Sequence, residues 1–148
     1  MELRISGLAQ VQERLKNAPS LLVSRAFHQA LDRAAGVIAA EVEMRTPEGE
    51  EGLLKENVIV VVDVEAGAKG GSAAVGFNHV QSERTGKPAD LIAFWVEYGH
   101  RMVAHDRKTV LGQVQPRPFM RQAAQASGDQ AIEVFQDTLI ERLSVIEG

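Results

Sequence analysis

Glu97, His100, His105 and Asp106 place two carboxylates and two imidazoles within one ten-residue stretch. Such groups can hold a divalent metal or exchange a proton as acid and base, the equipment of a small metal-dependent hydrolase. The spacing argues against it. Zinc peptidases of the helical type carry two histidines four positions apart with a glutamate between them, whereas His100 and His105 are five apart in a glycine-led segment. They read as ordinary loop histidines. Arg101, Arg107, Lys108 and Arg117 crowd the same region and offer a different chemistry, contact with nucleic-acid phosphates by an accessory protein.

Other candidates are weaker. Gly67, Gly70 and Gly71 beside Lys69 spell neither a P-loop nor a dinucleotide fingerprint. Ser24, Ser72 and Ser82 lie in no Gly-x-Ser-x-Gly elbow, and without cysteine no thiol nucleophile is present. No catalytic constellation assembles, so neither an enzyme nor a cofactor is expected.

Glu97 stands out for another reason. It ends an apolar run beside Trp95 and Tyr98, where a carboxylate is costly to bury unless paired. It is either a solvent-facing strand residue or the partner of an arginine such as Arg117 or Arg121. Trp95 and Tyr98 suit a core, although aromatic residues and arginine are also enriched at interfaces. In Pro116-Arg117-Pro118-Phe119 the prolines fix an extended approach to a helix, and Phe119 becomes its first buried anchor.

The elements that position these residues follow from periodicity. Leu8, Val11 and Leu15 suggest a short leading helix between Leu3 and Ala18. Apolar residues from Val23 to Val42 recur at three- and four-residue steps and predict a helix from Ser20 to Arg45, stopped by Thr46-Pro47. A turn at Glu48 to Gly52 precedes β-branched Asn57 to Val64, a strand expected to be buried on both faces. A glycine-containing loop at Ala66 to Ser72 and a second strand at Ala73 to His79 complete an antiparallel pair.

Gln81 to Asp90 reads as an exposed loop. The alternation of Ile92, Phe94 and Val96 predicts a third strand over Leu91 to Tyr98. Gly99 to Gln115 is long and polar, and is expected to be a mobile loop. A last helix starts at Phe119 and is interrupted or weakened at Ser127-Gly128-Asp129. The expected fold is α+β: a long N-terminal helix and a C-terminal helix packed on a small, mainly antiparallel β-sheet, as one domain over residues 1–148 with a single core.

Composition is consistent with a folded chain, 45% hydrophobic and 24% charged. A net charge of -4 supplies no basic footprint for gripping duplex DNA. No signal sequence and no apolar run long enough to span a bilayer are visible, so a cytoplasmic origin without membrane contact is expected.

Four elements, taken in order, give the chain a family likeness: Gly7-Leu8; Thr46-Pro47 followed by Gly52-Leu53-Leu54-Lys55; Val96-Glu97-Tyr98-Gly99; and Pro116-Arg117-Pro118-Phe119-Met120-Arg121 with Ala123. In this it resembles the small tail-component or tail-completion (head-tail connector) proteins of long-tailed bacteriophages. The likeness covers nearly the whole chain, with Glu51 where the family usually has threonine before Gly52-x-Leu.

The resemblance implies a structural subunit of a phage neck ring, acting in virion assembly without catalytic turnover or cofactor. Its partners would be copies of itself, roughly six or twelve in a closed ring, together with neighbouring neck, portal-proximal and tail proteins. DNA would pass through the lumen without tight binding. The subunit would be assembled in the host bacterial cytoplasm and reside in the virion. Interface and assembly roles are expected for Trp95, Glu97, Tyr98, His100, Arg101, Arg107, Arg117, Phe119 and Arg121, with neighbour contact at the 99–115 segment.

Overall fold

The computed structural model describes Glu13, Lys16 and residues 19–49, 52–65 and 70–146, Ile146 by its backbone alone. The leading helix expected between Leu3 and Ala18 lies outside the described residues, apart from helical Glu13 and Lys16. The centre of the turn at 48–52 and most of the loop at 66–72 lie outside them as well.

The fold is α+β. In chain order it comprises α1 (Ser20–Arg45), a one-turn α2 (Leu53–Glu56), β1 (Val58–Val64), β2 (Gly71–Phe77), α3 (Ala89–Tyr98), β3 (His100–Val103), β4 (Val110–Val114) and α4 (Phe119–Ile146). Strands β1 and β2 form one two-stranded antiparallel sheet, and β3 and β4 form another. Helix α1 has the expected limits. It ends where the Thr46 N–H and Oγ1 both donate to the Val42 carbonyl, at 2.8 and 2.6 Å, just before Pro47 removes the next donor.

The chain divides into two compact units, one of residues 37–60 and 75–128, the other of residues 1–36, 61–74 and 129–148. Among the described residues, buried side chains form a cluster in each unit. In the first unit, Val42, Leu54, Phe77, Ala93, Phe119 and Ala123 pack together, with Phe77 and Phe119 edge to face at 5.9 Å. In the second, Val23, Ala26 and Ala30 close on Leu139 and Leu143, with Phe27 edge-on to Phe135 at 6.0 Å. The reason is length: helices of 26 and 28 residues run well beyond what seven-residue strands can cover.

Three expectations are corrected. Strand β1 is not buried on both faces; half-buried and exposed residues alternate along it, as a sheet covered on one side requires. Leu91 to Tyr98 is not a strand but most of helix α3. Ala89, Ala93 and Glu97 recur every four residues and form its buried face, while Leu91, Phe94 and Tyr98 are exposed. Alternating apolar residues satisfied both periods, and the small Ala89 and Ala93, which let the helix approach its neighbours closely, decided between them.

The segment at 99–115 is not a loop but the β3–β4 hairpin, paired from His100↔Val114 to Val103↔Val110 with an irregularity next to Met102. Asp106 organises its turn. One carboxylate oxygen accepts the Lys108 and Thr109 N–H groups, at 2.9 and 3.0 Å, and the other accepts the Thr109 hydroxyl at 2.7 Å. Helix α4 runs unbroken through Ser127-Gly128-Asp129, where the buried Ser127 hydroxyl donates to the Ala123 carbonyl.

Candidate assembly surface

The two segments that carried the most weight in the sequence meet in space. Arg117 N–H donates to the Val96 carbonyl at 2.7 Å, joining the end of α3 to the approach to α4. Gly99 lies between them with φ 74° and ψ 171°, a region essentially reserved for glycine. A Cβ there would stand 2.5 Å from the Val114 carbonyl oxygen and 3.0 Å from the Pro116 nitrogen. Only a glycine lets the chain leave α3 and enter the hairpin at this point.

Glu97 is the centre of this junction. It is 3% exposed, and its carboxylate accepts the Met120 N–H at 2.9 Å, the Arg121 N–H at 3.1 Å and the Arg121 Nε–H at 3.0 Å. Met120 and Arg121 begin α4, whose first N–H groups have no partners within their own helix. The carboxylate therefore acts as a cap delivered from another helix, placed where the helix dipole favours negative charge. Of the two sequence readings of Glu97, the arginine partnership is the one found, and the partner is Arg121.

Arg121 also faces outward. Its guanidinium lies 5.2 Å from the centre of the Tyr98 ring, within cation–π range, and the Tyr98 ring is 4.9 Å from that of Phe94. Phe94 and Tyr98 are more than half exposed. Together they border an open groove of about 440 Å³, floored by Phe77, Ala93 and Met120 and edged by Asp90. Asp90 pairs with His79 at 3.0 Å, and that hydrogen bond holds its carboxyl below the usual 3.8.

The other expected residues fall into separate places. Phe119 is buried in the first unit's core. Trp95 is half-buried, its ring 5.5 Å from that of His100, the first residue of β3. Arg101 and Arg107 are exposed on the hairpin, Arg107 at its turn with φ 59°, and Arg117 is exposed before α4. Glu97 is taken up by α4, and among the described residues no group of three or more His, Asp or Glu side chains is arranged to hold a metal. Phe94, read as part of a strand, is not among the expected interface residues, because its pairing with Tyr98 needs the four-residue step of a helix.

Among the described residues no helix is long and apolar enough to cross a membrane. No protein-family model matches the chain, and neither a curated protein nor a solved structure matches it.

Proposed function

We propose that this chain is a structural subunit of the neck of a tailed bacteriophage, a tail-completion or head-tail connector protein that joins head to tail during virion assembly. The observation that carries the reading is the Glu97 junction. The Val96-Glu97-Tyr98-Gly99 and Pro116–Arg121 elements, on which the family resemblance largely rests, are held together there and leave Phe94, Tyr98 and Arg121 facing outward. Exposed aromatic residues beside an arginine are the composition of protein interfaces rather than of catalytic clefts.

The subunit acts by fit and not by turnover, and it needs no cofactor. Its partners are copies of itself in a ring, together with neck, portal-proximal and tail proteins, and its place is in the virion after assembly in the host cytoplasm. An acidic chain suits a ring through which DNA passes without being held.

Deletion of the gene from a phage genome tests the reading. Filled heads and tails that fail to join, or tails that end abnormally, are expected by electron microscopy. Normal infectious particles would overturn it.

A further inference from the structure

The β3–β4 hairpin is poorly accounted for by its own chain. An isolated two-stranded hairpin is marginal in water and needs a covering surface, yet four apolar residues of this one are exposed. Successive strand residues point to opposite faces, so exposed Met102 and Val103 on one strand, with Val110 and Leu111 on the other, leave apolar side chains on both faces; Leu111 is 67% exposed. Its charge is equally distinctive. Residues 100–114 carry two arginines and one lysine against one aspartate, a net charge of +2 in a chain of net charge -4.

A complementary surface lies elsewhere in the same unit. A groove of about 270 Å³ is lined mainly by apolar atoms of Pro47, Leu53, Leu54, Ile92 and Val96, and Glu48 stands on its rim. None of residues 100–114 lines it, so the chain's own hairpin does not fill it. In sequence, residues 41–56 are the acidic counterpart of the hairpin, with six glutamates against one arginine and one lysine, a net charge of -4, and of these Glu48 lines the groove, 3.8 Å from Lys55. Arg84, a cation on the rim, is itself engaged in an interaction.

We propose that the β3–β4 hairpin of one copy seats on the Pro47–Leu54 groove of a second copy, an inference that rests on the ring-subunit reading above. Leu111 or Val110 enters the apolar groove, and Arg107 and Lys108 face Glu48 on its rim. Because hairpin and groove are different patches, the contact is head-to-tail. Repeated from copy to copy, such a contact closes into a ring when the rotation per subunit allows. Opposite charges select the partner and the register.

The absence of cysteine makes the contact directly testable by disulfide trapping. Leu111→Cys in one copy is mixed with Gly49→Cys in a differently tagged copy under mild oxidation. A Cβ at Gly49 meets nothing within 4 Å, so that substitution leaves the fold undisturbed. The control is Gly76→Cys, equally open and placed on the groove beside Phe94 and Tyr98. Circular dichroism checks the fold of every variant.

Heterodimers of Leu111→Cys with Gly49→Cys are expected to form at least about ten-fold faster than with Gly76→Cys. Arg107→Glu with Lys108→Glu should weaken self-association by about ten-fold or more in sedimentation, since like charges would then face each other. Equal trapping rates, or faster trapping at Gly76→Cys, would overturn this seating. Self-association unchanged by the double charge reversal would overturn it too, while leaving the ring reading intact. Failure of the unaltered chain to self-associate, alone or in particles, would overturn both.

Discussion

Glu97 and Arg121 are bonded twice through one oxygen: Oε1 accepts both the Arg121 backbone N–H and its Nε–H, at 3.1 and 3.0 Å. The two bonds have different consequences, because the backbone bond closes a helix end while the side-chain bond is made by an arm that is 58% exposed. Glu97→Ala loses both, along with the Met120 bond, and leaves N–H groups of α4 unpaired beside a cavity. A loss of about 2 to 4 kcal/mol in urea unfolding is expected. Arg121→Ala keeps the cap but removes one of the three donors to a buried carboxylate, and should cost less than Glu97→Ala, about 1 to 2 kcal/mol. Its larger effect should appear as impaired particle assembly in a complementation assay.

Gly99→Ala combines a backbone conformation that side chains rarely adopt with a Cβ 2.5 Å from the Val114 carbonyl oxygen. Neither neighbour is a flexible side-chain end, so the strain cannot relax locally. The conformational cost alone is about 1 to 3 kcal/mol, and the contact adds to it. A lowered thermal midpoint, with loss of the cross-strand amide signals of β3 and β4, is the expected result.

Phe119→Ala removes the ring that meets Phe77 edge-on in the first unit's core. Truncation of a buried phenylalanine costs about 3 to 5 kcal/mol. Exposed Phe94→Ala should cost far less in unfolding experiments, and comparison of the two separates core from surface.

Asp106 provides a pH test at the hairpin turn. Hydrogen bonds from the Thr109 and Lys108 N–H groups and the Thr109 hydroxyl hold its carboxyl below the usual 3.8. A carboxylate with a depressed folded pKa contributes stability that is present above its unfolded value, about 3.9, and is lost as pH falls through the folded value. The Lys108 and Thr109 amide shifts should therefore be flat with respect to this group from pH 5 to 8 and move only below about 3.9. In Asp106→Asn, which retains an acceptor oxygen, that acid transition should disappear.

The sequence by itself determined the long helix from Ser20 to Arg45, the β1–β2 pair, Phe119 as a buried anchor and the α+β class. These features follow from local rules: a sustained helical period, proline as a stop, and a β-branched run followed in sequence by several glycines. The tertiary structure decided the rest. Ile92, Phe94 and Val96 fit a strand or a helix equally well until Ala89, Ala93 and Glu97 were seen to share one buried face. The polar stretch after Gly99 became a hairpin because Asp106 closes its turn and the strands find each other across it, a pairing that no local period encodes. For Glu97 the sequence supplied a costly carboxylate and two candidate arginines. Its partner was decided only where the start of α4 brought unpaired N–H groups and the Arg121 side chain to the same oxygen, because a buried charge is satisfied by whatever donors the fold delivers to it.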